Sequence, residues 1–244
     1  MSARLAHSAT NQWYQKPVRQ LIVCLTAALC LAGPGLAACA AQPASPPSSS
    51  KSALSGSPTN DVNPANIKRV RSSLPPGYEI ADVTGPISAA ALWGFGAGWT
   101  AAPPQCAALA DPAPADPDAR GYSASGTGGI MYVVVAVPAQ PAPADAAIGE
   151  CARWTMTFAH TTGDVSLSEA PMIDGVETVA MTVTTRTVVE SGTETDGQAV
   201  TAQAYLDGHV VFVTLITDPG SPHPALDARS VGDLLIATVA ALRG

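Results

Sequence analysis

A hydrolytic serine needs a strand-to-helix elbow that lifts its hydroxyl and a histidine that takes its proton. Around Ser123 the chain reads Gly121-Tyr-Ser-Ala-Ser125, which lacks the closing glycine of that elbow and precedes a strand pattern instead of a helix. His160, His209 and His223 are far apart in sequence, one after a tight turn and one between two prolines, so no orienting carboxylate is evident. A metal site would require all three to converge from separate segments. Ser125 to Gly129 is glycine-rich, but neither a Lys-Ser/Thr pair nor a helix start follows it, which excludes a phosphate cradle. Glu150, Glu169 and Glu177 leave a glycosidase-type carboxylate pair open, since only three dimensions can bring such acids together. No catalytic residue, metal ligand or cofactor is assigned.

Cysteine gives a sharper signal. Lys16 and Arg19 precede an apolar run, Leu21 to Leu31, that is too short to span a bilayer comfortably and is followed by Gly33-Pro34-Gly35. Leu36-Ala37-Ala38-Cys39 then resembles the bacterial lipobox in position, hydrophobic lead and residue types. The resemblance implies that residues 1–38 are a lipoprotein signal peptide. It also implies that the Cys39 sulfur carries a diacylglycerol and that the new amino group takes a palmitate-type chain. One acyl chain holds a protein only marginally, and two or more hold it firmly.

Residues 39–63 are dense in Ser, Pro and Ala with few large apolar groups, the composition of a disordered tether. Residues 64–244 are long enough for one domain with its own core. The leader holds three of the 12 basic residues and no acidic one, so the remainder keeps 9 basic against 19 acidic residues, net −10. That balance argues against nucleic acid and against electrostatic attraction to anionic lipid. With Cys24 and Cys30 gone and Cys39 lipidated, Cys106 and Cys151 remain, and outside the membrane they are expected to pair as a disulfide.

Periodicity supplies the elements. Asn63-Pro64 caps a helix with Ile67, Val70 and Leu74 on one face, and Lys68, Arg69 and Arg71 form its wet side. Short helices are expected at 88–93 and 104–110, and a longer one over 145–158 that carries Cys151 and Trp154, so the disulfide would join two helical pieces. Strands are expected at 77–84, 120–124, 130–137, 164–169, 176–189, 198–206 and 209–217. The run Ile130 to Val137 is continuously apolar and β-branched, as in a central strand covered on both faces. Asp207-Gly208 favours a type I′ turn that sets Leu206 opposite His209 and Ala204 opposite Val211, with Phe212 beside Gln203 on the other face. Leu226 to Leu242 has the spacing of a C-terminal amphipathic helix. The expected class is α+β: a mostly antiparallel sheet packed against helices on one side, in two layers.

Leu92-Trp-Gly-Phe-Gly-Ala-Gly-Trp99 concentrates three of the chain's seven Trp and Phe residues between glycines. The rings either plug a gap beside the disulfide or form a binding loop. Trp93, Trp99 and Tyr122 are the candidate ligand-binding residues.

Anchor, tether, cysteine pair and terminal helix together resemble the cell-envelope lipoproteins of mycobacteria and their relatives. Residues 64–244 resemble loosely the extracellular sensor-like domain of some of their serine/threonine kinases, which implies a cleft for a ligand and no catalysis. Those domains carry two disulfides and this chain can make one. The resulting expectation is a non-enzymatic lipoprotein, lipid-anchored on the extracytoplasmic face, that binds a small molecule, lipid, glycan or envelope protein. A hydrolase of envelope lipids or glycans and an adaptor without a pocket are the alternatives.

Overall fold

The computed structural model describes residues 62–244 except 75, 115 and 218–225. The expected leader 1–38, Cys39, the expected tether through residue 61 and His223 lie outside the described residues. Among the described residues no helix is long and apolar enough to cross a membrane.

The domain opens on a 3₁₀ helix, Pro64–Ser73, whose cap Asn63 accepts from Ala65 N–H at 3.0 Å through its side chain. Ile67 and Val70, three apart, eclipse in this tighter winding and both are buried. Of the basic cluster, Lys68 and Arg71 pair with Asp82 on the first strand, and the Arg71 guanidinium also stands 5.4 Å from the centre of the Tyr122 ring.

Among the described residues nine strands form one antiparallel sheet. They are β1 (Glu79–Thr84), β2 (Thr100–Ala102), β3 (Arg120–Gly126), β4 (Gly129–Ala136), β5 (Arg153–Phe158), β6 (Thr161–Ser168), β7 (Glu177–Val188), β8 (Glu194–Leu206) and β9 (His209–Thr217). Their order is β1-β3-β4-β9-β8-β7-β6-β5-β2. Four helices interrupt them: α1 (Ala89–Leu92), α2 (Ala107–Ala110), α3 (Asp145–Glu150) and α4 (Ala228–Arg243).

The β8–β9 hairpin has the expected register, with Leu206 opposite His209, Ala204 opposite Val211 and Gln203 opposite Phe212. Both turn residues have positive φ, Asp207 at 42° and Gly208 at 77°, as a type I′ turn requires.

Helices cover the sheet on both faces, which corrects the one-sided expectation. On one face α4 sets Val231, Leu235, Val239 and Leu242 into a cluster with Tyr122, Val133, Val211 and Val213. On the other, α1, α2, Trp93 and Phe95 pack over Met156, Met181 and Val183, while Val134, Val210 and Phe212 form a third cluster. Strand β9 reads His-Val-Val-Phe-Val-Thr-Leu-Ile-Thr, apolar without alternation, and a strand of that kind needs cover on two sides.

The expected helix over 145–158 also gives way. α3 ends at Glu150, and Arg153–Phe158 is strand β5, in which buried Trp154 and Met156 alternate with exposed Arg153, Thr155 and Thr157. A period of two with threonines favours the strand, and Cys151 therefore caps a helix instead of sitting within one. β2 was not expected, because Thr-Ala-Ala carries no strand signal; its pairing with β5 defines it. β6 begins three residues earlier than expected, and β8 four.

Trp93 is a core residue. Its indole N–H donates to Thr201 Oγ1 at 3.0 Å, and the Thr201 and Thr214 hydroxyls lie 2.8 Å apart. All three residues are buried. Thr201→Val keeps the shape but strips the indole of its acceptor, so a loss of about 1–3 kcal/mol is expected. It should appear as a lower urea midpoint at unchanged slope, whereas Thr214→Val, which leaves the indole paired, should cost less.

Candidate functional site

Two proline-rich segments flank the cysteines, 103–114 and 138–143, and they face each other across an open cleft of about 810 Å³. This volume lies within the usual range of small-molecule sites. Cys151, joined to Cys106 with the two Cα atoms 5.6 Å apart, is part of the lining. Ala139 N–H donates to Pro112 O at 2.8 Å and ties wall to wall. Pro104, Pro112, Pro114, Pro141 and Pro143 all line the space. Each fixes its own φ near −65°, so the walls are rigid before anything enters.

Trp99 and Tyr205 supply the aromatic surface. Trp99 reaches the cleft because Gly94 and Gly98, at φ 98° and 87°, turn the chain after Trp93 and Phe95 have entered the core. Tyr205 is half-buried, and burial pushes its hydroxyl up to about 12. It is also held in place: Gln203, fully buried, donates from Nε2 to Leu109 O at 2.8 Å, and Tyr205 Oη lies 3.2 Å from Gln203 Oε1.

Asp111 is the acidic side chain on the wall. Burial raises its pKa above the ordinary aspartate range, against the Ala113 N–H and the Ser88 hydroxyl, which favour the charged form. Its Oδ1 is shut from water and has no hydrogen-bond partner among the described residues.

The structure therefore separates the three aromatic candidates. Trp99 lines the cleft, while Trp93 and Tyr122 belong to two different core clusters. Tyr122 is fully buried, its Oη has no partner among the described residues, and burial pushes its pKa up to about 12 despite Arg71. Of the lining residues, Asp111, Tyr205 and the Pro/Ala walls escaped the sequence reading. Their available signal was the clustering of proline with alanine in Asp111-Pro-Ala-Pro and Pro138-Ala-Gln-Pro-Ala-Pro143, in segments on either side of the same hairpin.

The chemical candidates lie elsewhere. Ser123 is half-buried within β3, His160 is exposed after β5, and His209 Nδ1 lies 3.2 Å from Asp207 O at the hairpin tip. Glu169 and Glu177 are exposed, and Glu150 accepts from Gln105 Nε2 at 3.4 Å. Among the described residues no group of three or more His, Cys, Asp or Glu side chains is placed to hold a metal.

No curated protein matches the chain. Among solved structures, it is similar to an uncharacterised protein of Mycobacterium smegmatis, the Rv0999 ortholog. The two are 26% identical with a TM-score of 0.57, over 75% of this chain and 98% of that one. The extracellular domain of PknH from Mycobacterium tuberculosis aligns at 13% identity and a TM-score of 0.36, over 74% of this chain and 93% of that one. The pattern of one family, described as a domain of unknown function (DUF5642), matches residues 63–243, nearly the whole described domain, and the chain belongs to that family.

Proposed function

We propose that the chain is an envelope lipoprotein, anchored through Cys39 on the extracytoplasmic face, whose domain is a non-enzymatic binding module for a small apolar molecule. One observation carries the binding role: a cleft of about 810 Å³ with proline walls, two aromatic side chains and a disulfide-bonded cysteine in its lining. Rigid walls spare a ligand the cost of ordering its own site. The Leu36-Ala37-Ala38-Cys39 stretch after an apolar leader supports the anchor, and the paired cysteines fit an oxidising compartment.

Mass spectrometry under non-denaturing conditions, on the full chain taken from a mycobacterial membrane with its leader processed, tests both parts. The expected protein begins at Cys39, carries its acyl mass, and retains a further non-covalent apolar passenger. Trp99→Ala should cut the occupied fraction several-fold while leaving the covalent mass unchanged. A chain that retains no passenger, and whose Trp99 variant behaves the same when the membrane extract is added back, would end the binding reading.

A further inference from the structure

Gln203 is fully buried and stands behind the cleft lining, on β8 between Val179 of β7 and Phe212 of β9, its buried cross-strand neighbours. An amide set among apolar side chains needs partners at both of its ends. It finds them on two lining residues: Nε2 donates to Leu109 O at 2.8 Å, and Oε1 lies 3.2 Å from Tyr205 Oη. Leu109 O only accepts, which fixes the amide's orientation, so the Tyr205 hydroxyl donates its proton to Oε1. Buried Thr201, Thr214 and Thr238 bond within the core instead, to Trp93, to each other and to Leu234 O. Gln203 differs from them in that both of its partners face the cleft.

Leu109 belongs to α2, a helix of four residues that lines the cleft through Ala107, Ala108 and Leu109. A single turn does not hold itself in water, so the ties at its two ends decide where this wall stands. At its start Cys106 is bonded to Cys151, and near its end Leu109 O is held by Gln203. β8 is paired on both sides, to β7 and to β9, so Gln203 is the fixed partner and α2 the held one. We infer that Gln203 is the positioning residue of the cleft: acting through Leu109 and Tyr205, it sets the α2 wall and the Tyr205 ring at one spacing without touching the ligand. This rests on the cleft being a binding site. A wall set in advance spares a ligand the cost of ordering it, so loss of the amide should appear in affinity beyond its effect on folding.

Titration of the full chain with dodecanol, followed by mass spectrometry under non-denaturing conditions, tests the inference. The parent should take up dodecanol and Trp99→Ala should take up several-fold less, which checks the cleft itself. Gln203→Met, close to the amide in volume, loses both bonds and should bind about tenfold more weakly. Thr201→Val, a core variant that also gives up a buried hydrogen bond, should keep the parent's affinity. Gln203→Glu supplies a rescue. Its neutral carboxyl offers one donor and one acceptor in the amide's plane, and burial favours that form, so affinity should match the parent's at about pH 5 and fall towards that of Gln203→Met by about pH 8. Tyr205, pushed up to about 12, stays protonated over that range, and the contribution of Asp111 on the same wall cancels in the ratio to the parent at each pH. If Gln203→Met does not fold, the Gln203→Glu profile decides, since at about pH 5 the replacement keeps both bonds. Affinity in Gln203→Met within about twofold of the parent's, or lowered no further than in Thr201→Val, would overturn the positioning role and leave the cleft, as would a flat Gln203→Glu ratio. A parent that takes up no dodecanol would remove the cleft reading and this inference with it.

Discussion

Gly121→Ala is expected to lose the fold. Position 121 pairs with Val134 across β3 and β4, and an added Cβ would sit 1.8 Å from Val133 O, 2.8 Å from Val133 C and 2.9 Å from Val134 Cα. All three are backbone atoms, so no side chain can swing aside. Strand β4 cannot retreat either, because it is paired to β9 from Ile130 to Ala136 and Val133, Val134 and Val135 are buried. Relief requires β3 to part from β4, which would carry away edge strand β1 and uncover Tyr122, now fully buried beneath Arg71. Overpacking against backbone in a central sheet should cost more than about 3 kcal/mol. Domains of this kind hold only about 5–15 kcal/mol in total. Gly149→Ala is the matched control, since its Cβ would meet nothing within 4 Å and the site is on α3; it should be neutral or gain about 0.5–1 kcal/mol. Urea titrations of both variants decide the matter. A Gly121→Ala midpoint near that of the parent would mean that β3 does not pair with β4 in this register.

Local chemistry made part of this architecture legible. Asp207-Gly208 fixed a hairpin because two positive φ values and an alternating flank are properties of adjacent residues. Strand β4 and helix α4 were equally readable, one from an unbroken β-branched run and the other from apolar residues on a helical period. What escaped depends on partners far along the chain. β2 is a strand only because β5, more than fifty residues later, lies beside it. Trp93 reads from the sequence as either a plug or a binding-loop aromatic, and the acceptor that settles it, Thr201, is 108 positions away. The same holds for the cleft. Proline and alanine carry no periodic signature, so a wall made of them reads as a connecting loop until the sheet brings 103–114 beside 138–143. The cysteine pairing was readable by elimination, but the place of Cys151 in the lining of that cleft was not.

Replacing both cysteines, Cys106→Ala together with Cys151→Ala, should have the second large effect. The bond closes a separation of 45 residues that contains the whole β3–β4 hairpin and α3. In the chain-entropy picture, freeing such a loop in the unfolded state costs about 4 kcal/mol. A second contribution comes from the folded state, because Cys106 and Cys151 are buried against Ala110 and Trp154, and two alanines leave part of that volume empty. The sheet itself does not need the bond, since β3, β4 and β9 are held by their own ladders, so the double variant should keep its far-ultraviolet spectrum at low temperature. The cleft has fewer ties, with one wall-to-wall backbone bond from Ala139 to Pro112 and a side-chain contact from Gln105 to Glu150 in the disulfide's place. Ligand retention should therefore fail at temperatures where the sheet remains intact, whereas loss of core stability alone would remove both together. Denaturant unfolding of the parent in the presence of reductant should give a midpoint between those of the oxidised parent and the double variant, because reduction relaxes the same unfolded loop but keeps the sulfur volume in the core. A double variant within about 1 kcal/mol of the parent would mean that the loop is already constrained in the unfolded chain. Undiminished ligand retention in that variant would place the cleft's rigidity in its prolines alone.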